Sequence, residues 1–241
     1  VTLCWLEPDW SVASRVRAVS TRRGGGVSAA PYDSLNLGDH VGDAPAAVAE
    51  NRGRLRLAAA LPAEPLWLNQ VHGTRVVDLD QGPPEGGADA AFTRRPGRVC
   101  AVLSADCLPV LLAGDGVVAA VHAGWRGLAA GVLEATLAAL EVPPASLSAW
   151  LGPAIGPVHY EVGAEVRDAL VRSPDALHAF STNARGRFMA DLPLLARQRL
   201  AAAGVLRIHG GSDCTYGNPG FFSHRRDGRT GRQATLIWLQ G

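Results

Sequence analysis

Three short apolar runs follow one another at the centre of the chain: Val99–Leu103, Val110–Ala113 and Val117–His122. They are rich in Val and Leu and almost free of polar residues, the pattern of buried strands. Only Gly114-Asp115-Gly116 separates the last two, so they must pair as an antiparallel hairpin. Around this hairpin, helical and strand patterns mix without strict βαβ alternation. An α+β or layered α/β architecture fits better than a doubly wound parallel sheet.

The flanking segments are legible in part. Residues 12–20 alternate weakly and run into a Gly-rich turn, Arg22–Ser28, as a strand entering a loop. The stretch 31–43 is polar and irregular. Asp43 is placed to cap a helix from Pro45 to about Ala60, with Val48, Arg52, Leu55 and Ala59 on one face. Residues 66–71 and 75–79 read as strands around His72-Gly73, and 82–87 as a surface loop. A helix is expected over about 128–140, with Val132, Leu133, Thr136, Leu137 and Leu140 facing the core. Trp150-Leu151 closes a strand. Val162, Val166, Ala169 and Leu170 mark a helix over about 162–172. Asp191 caps a further helix that stops at Gly204, with Leu192, Leu195, Ala196 and Leu200 as its apolar stripe. Ile208–Gly210 and Thr235–Leu239 complete the strands.

With 241 residues, 47% of them hydrophobic, and no visible linker, the chain is expected to form a single domain over 1–241. A formal net charge of +1 provides no field for nucleic acid or anionic membrane. All 23 basic residues are Arg, which removes Schiff-base, P-loop and general-base lysine chemistry. Four Cys without CxxC spacing argue for reduced thiols rather than a disulfide framework. No stretch of 18 or more apolar residues is present, so a soluble, cytoplasmic protein is expected. A monomer is the expected state.

Three soft-metal ligands stand in turn-flanked segments: His72 in NQVHG, Cys107 in SADCLPV and His122 in AVHAGWRG. The predicted hairpin brings Cys107, before one strand, to His122, at the end of its partner. Any one of these residues alone reads as packed core. Together they form a three-ligand set that zinc accepts, with a fourth position left for water or substrate, as in catalytic sites. Copper is the other candidate ion. Beyond His122, AGWRGLAAG combines a strand end, a glycine turn, a helix start and Arg126, a candidate phosphate site or a plain β–α turn. The Arg22 loop is either an anion-binding flap or a flexible turn. Arg225, Arg226, Arg229 and Arg232 surround His224 near the C-terminus, as a solvated tip or as help for an anionic substrate. Cys214 reads as a buried thiol. Templates for Walker A, GxGxxG, GxSxG and HExxH are absent.

Six ordered segments, TRRGGGVSAAPYDSLNLGDHVGD, NQVHGTRVV, SADCLPVLL, AAVHAGWRG, LGPAIGPVHYEVG and CTYGNPGFFSHRRDGRTGRQATLIWL, together resemble the bacterial laccase-domain proteins, also called the polyphenol oxidase or purine nucleoside phosphorylase family. The likeness runs from about residue 12 to 239, with an extra glycine in Gly24–Gly26 as a departure. The resemblance implies a layered α-β-β-α sandwich with mixed sheets and a zinc site at His72, Cys107 and His122, the catalytic residues. It further implies phosphorolysis of adenosine, inosine, guanosine and methylthioadenosine, with adenosine deamination alongside. Arg126 would hold phosphate; Gln70, Asn36 and Arg22 are further candidates for substrate contact. Two other readings attach to the same motifs. A cysteine-type amidase editing peptidoglycan precursors (UDP-muramyl-amino acids) would use Cys107 as nucleophile with an unliganded thiolate. A copper-dependent polyphenol oxidase is disfavoured, since three ligands cannot build a multi-copper cluster.

Overall fold

The computed structural model describes residues 3–82 and 85–241. The central hairpin forms as expected: β7 (Leu108–Gly114) and β8 (Val117–Ala123) pair antiparallel, from Leu108 opposite Ala123 to Gly114 opposite Val117. It is the middle of a six-stranded sheet in the order β13 (Arg207–Gly210), β9 (Ser148–Leu151), β7, β8, β5 (Ala90–Thr93), β4 (Val76–Asp78). The β13–β9 and β4–β5 pairs are parallel and the rest antiparallel, so the sheet is mixed. A second, five-stranded sheet runs β1 (Trp5–Leu6), β2 (Val16–Thr21), β14 (Gln233–Leu239), β6 (Val99–Ser104), β3 (Leu66–Trp67), with only β3–β6 parallel. A small antiparallel sheet joins β10 (Glu161–Val162), β12 (Phe188–Ala190) and β11 (Phe180–Thr182).

Side-chain alternation sorts the core into three apolar layers. Leu111, Ala113, Val118 and Ala120 of the hairpin meet Cys100, Val102, Ile237 and Leu239 of the five-stranded sheet, filling the space between the sheets. Leu108, Val110, Leu112, Val117, Ala119 and Val121 point the opposite way. They pack under α2 (Trp125–Ala130), α3 (Val132–Leu140), α4 (Ala164–Leu170) and α5 (Leu192–Ala202). On the far side, Leu236, Trp238, Ala101 and Leu103 lie against Leu55 of α1 (Pro45–Ala58) and the loop residues Leu35 and Leu37. Helix, sheet, sheet, helix is the α-β-β-α order that the resemblance implies. Both strands of the hairpin are apolar on both faces because both faces are covered.

Local details depart from the sequence reading where tertiary partners intervene. The helix expected over 128–140 is two helices: it begins at Trp125 and breaks at Gly131, whose φ of +102° places it in the left-handed region. The predicted core face of α3 is buried as expected. Asp43 does not cap α1; the N-cap residue is Ala44, with no side-chain bond. The Asp43 carboxylate instead accepts from Ser28 Oγ at 2.6 Å and Asn36 Nδ2 at 2.9 Å, tying the polar loop together. Asp191 does cap α5, through the Leu194 N–H at 2.9 Å. The strands expected at 66–71 and 75–79 shorten to β3 and β4, and α4 begins only at Ala164 because Val162 is spent in β10. Cys214 is half-buried, with Sγ accepting from the main-chain N–H of Gly156 and Gly217. Of the loop expected over 82–87, Pro83 and Pro84 lie outside the described residues. No helix among the described residues is long and apolar enough to cross a membrane.

Candidate metal centre and its pocket

The hairpin register places Pro109 opposite His122, so Cys107 lies just beyond the ladder, beside the end of β8. Asp106, at φ +94°, turns the chain there. His122 alternates with Val121 and Ala123 and therefore faces the space between the sheets. His72 comes from the β3–β4 connection and adopts φ +60°, an uncommon state for a residue with a side chain. The three ligand atoms lie within 4.8 Å of one another, with Cys107 Sγ 3.8 Å from His72 Nε2. The two imidazoles meet edge to face at 4.8 Å.

A carboxylate that the sequence reading missed builds this arrangement. Asp89, fully buried at the start of β5, accepts from three successive main-chain N–H groups: Val71 at 3.2 Å, His72 at 2.9 Å and Gly73 at 2.7 Å. It also accepts from His122 Nδ1–H at 2.8 Å. One buried anion thus holds the His72 turn in its left-handed state and fixes the His122 tautomer, leaving Nε2 free to ligate. This is the carboxylate–histidine support that metal-binding imidazoles commonly have. Burial works against the Asp89 charge, but the His122 bond and the Gly73 and Val71 N–H groups outweigh it and hold the carboxyl below its ordinary range. The signal in sequence was faint, a lone Asp in GADAAF.

The donor set fits a metal ion on two further observations. Gly124 makes room for it: a Cβ there would stand 2.8 Å from His72 Cδ2 and 3.0 Å from Cys107 Sγ. The electrostatics favour the ligating thiolate. Burial raises the Cys107 thiol, but the charge and hydrogen bond of His122, with help from His72, bring it down to about 6. Burial opposes the His122 charge in turn, while Cys107 and Asp89 push it up to about 9. Without an ion, this is a thiolate–imidazolium pair.

His72 and Cys107 open into a pocket of about 200 Å³. Trp125, Ile155 and Leu192 supply its apolar wall, and Arg126 and Arg225 its cationic rim. Asp106 also faces it, but its oxygens are engaged by Thr215 Oγ1 at 2.7 Å and the Arg225 N–H at 2.6 Å. Tyr160 lines it too, and burial, with Cys107, pushes its phenol up, so the hydroxyl stays protonated. The structure brings Arg126 to this pocket together with His72 and Cys107, and His122 lies buried behind them. Gln70, Asn36 and Arg22 are placed elsewhere. Gln70 clasps the main chain of Leu103 with both amide atoms, at 2.8 and 2.7 Å. Asn36 is fully buried among main-chain partners at Gly38 and Arg232. Arg22 stacks on Phe221, 4.9 Å from the ring centre.

The α-β-β-α layering defines a class of fold, and known proteins share it. The chain belongs to the family described as multi-copper polyphenol oxidoreductase laccase, whose model matches residues 17–240. It is 55% identical over 241 residues to a purine nucleoside phosphorylase of Pseudomonas aeruginosa, covering 98% of both chains. It is 52% identical over 238 residues to the purine nucleoside phosphorylase YfiH of Escherichia coli K12, covering 97% of this chain and 98% of the relative. The crystal structure of a Neisseria meningitidis protein, 48% identical, superposes with a TM-score of 0.93 over 98% of this chain and 99% of that one.

Proposed function

We propose that this protein is a zinc-dependent purine nucleoside phosphorylase acting on adenosine, inosine, guanosine and methylthioadenosine, with adenosine deamination as an accompanying activity. The observation that carries the reading is the convergence of His72, Cys107 and His122 within 4.8 Å beside a pocket rimmed by Arg126. The names of the relatives support it. A three-donor set suits zinc with an open position, and a bound ion would supply Lewis acidity there.

The rest falls to the chain's own residues. In phosphorolysis a phosphate oxygen bonds to C1′ of the ribose while the bond from C1′ to the purine nitrogen breaks, and the purine takes the electron pair and a proton. Arg126 holds the phosphate by charge-assisted hydrogen bonds. Trp125, Ile155 and Leu192 give the purine an apolar surface and exclude water. Tyr160, kept neutral, donates a hydrogen bond where negative charge develops on the departing base. Asp89 keeps His122 and the His72 turn in place. Gln70 and Asn36 serve the site by fixing the strand and loop behind it.

The test is purine-base release from adenosine and inosine by metal-analysed protein, with and without phosphate. The reading expects phosphate-dependent release that disappears in His72→Ala and Cys107→Ala. No release from protein holding one ion per chain refutes it. One observation favours a second reading: the thiolate–imidazolium pair of Cys107 and His122 is also that of a cysteine nucleophile and its base. A cysteine amidase would gain activity on chelation, whereas the phosphorylase would lose it.

A further inference from the structure

Cys214 and His159 form a second thiol–imidazole pair, apart from the metal centre. His159 Nδ1 stands 3.5 Å from Cys214 Sγ, within hydrogen-bond reach of a sulfur. The imidazole is fixed from two sides. It stacks on Tyr216, with 4.5 Å between ring centres and 23° between planes. Gly217 packs on it, where a Cβ would come within 3.4 Å of Cε1. The sulfur is fixed as well, accepting from the Gly156 N–H at 3.2 Å and the Gly217 N–H at 3.3 Å. A Cβ on Gly156 would stand 3.1 Å from Sγ, so a glycine there lets the main chain close on the sulfur.

Neither residue lines the metal pocket. His159 and Tyr216 line a separate groove of about 660 Å³, with Val158 and Arg185 among its other walls. Cys214 is itself half-buried, so its surroundings admit a small solute. The other thiols differ. Cys4 is exposed, and among the described residues nothing bonds its sulfur. Cys100 is fully buried, and burial pushes its thiol up. Cys107 belongs to the metal centre. Only Cys214 combines partial exposure, an imidazole neighbour outside the metal centre and two main-chain N–H groups aimed at sulfur. Such N–H groups stabilise negative charge wherever it develops, and a neighbouring imidazole takes the proton. That is the equipment of a nucleophile, and phosphorolysis as proposed above uses neither residue.

We propose that Cys214 is a modification site, a peroxide-reactive thiol that forms a sulfenic acid with His159 as its base. His159, in the tautomer protonated at Nε2, takes the thiol proton on Nδ1. The sulfur then attacks one oxygen of hydrogen peroxide, and an S–O bond forms as the O–O bond breaks. The departing hydroxide takes the proton back from His159 and leaves as water. The sulfur gives up two electrons and the peroxide gains them. This chemistry does not depend on the nucleoside reading.

The test treats the metal-loaded protein with limiting hydrogen peroxide in the presence of dimedone, which traps sulfenic acids, and quantifies each cysteine by peptide mass spectrometry. Cys214 is labelled faster than Cys4, although Cys4 is the more exposed. In denaturant the two label alike, because the acceleration comes from the fold. His159→Phe keeps an aromatic ring on Tyr216 and removes the base; it slows labelling of Cys214 about tenfold or more and leaves Cys4 unchanged. Labelling of Cys4 ahead of Cys214 in the folded wild type overturns the proposal, since reactivity then follows exposure alone. Wild-type labelling of Cys214 in folded His159→Phe overturns it too.

Discussion

Replacing Asp89 by Asn tests whether one buried carboxylate assembles the centre. The wild-type group accepts four hydrogen bonds, from the N–H of Val71, His72 and Gly73 and from His122 Nδ1. An amide has one acceptor oxygen. In either orientation its NH2 faces two of those four donors. Bonds to a charged acceptor contribute about 1.5–3 kcal/mol each, so losing two costs about 3–6 kcal/mol before any relaxation. Part of this falls on the metal. Loss of a carboxylate behind a ligating histidine typically weakens binding about 10–100-fold, or about 1.4–2.8 kcal/mol. The remainder falls on folding. About 2–3 kcal/mol in a chain of this size lowers the unfolding midpoint by about 4–12 °C. Metal affinity is read by competition against a chromophoric chelator, and stability by thermal unfolding of the metal-free protein. Affinity within about two-fold of wild type would falsify the claim that Asp89 sets the His122 tautomer and the His72 turn, because either error alone misplaces a ligand.

Gly124→Ala keeps an allowed backbone, at φ −66°, but drives a methyl into His72 and Cys107; metal stoichiometry by elemental analysis should fall well below that of wild type while stability drops by only about 1–3 kcal/mol. In metal-free protein the Cys107 thiolate is populated as pH rises through about 6, because His122 and His72 outweigh burial; its alkylation rate should reach half its plateau near that pH. Removing His122 should carry the half-point back towards the ordinary thiol range, and added metal should suppress alkylation. A half-point near 9 in the unmodified metal-free protein contradicts the pairing. Leu111→Ala hollows the layer between the sheets and should cost about 2–5 kcal/mol in denaturant unfolding with metal content unchanged.

Short-range pattern made much of this molecule legible. The Gly114-Asp115-Gly116 link fixed the hairpin, and the hairpin fixed that Cys107 and His122 would meet. Helical spacing picked the buried face of α3 residue by residue, and Asp191 announced the start of α5. These depend on neighbours within a turn or a strand pair, where sequence distance and spatial distance agree. His72 entered the set by its chemistry and by family resemblance, since nothing in its spacing placed it.

What the sequence by itself determined was therefore the set of candidate ligands and the antiparallel element beside which two of them lie. The tertiary structure decided how they are held. Asp89 reads as one polar residue before a short Ala-rich strand, and only the β5–β8 pairing sets it against His122. Asp43 looks like a helix cap until Ser28 and Asn36 claim its oxygens. Arg232 looks like one of four arginines in a solvated tip until its main-chain N–H meets Asn36 and Gly38 packs on its stem. In each case a polar group's role depends on which distant donors or charges are buried with it. Burial makes an unmet hydrogen bond or charge expensive, so partners chosen across the fold override the local preference that sequence displays.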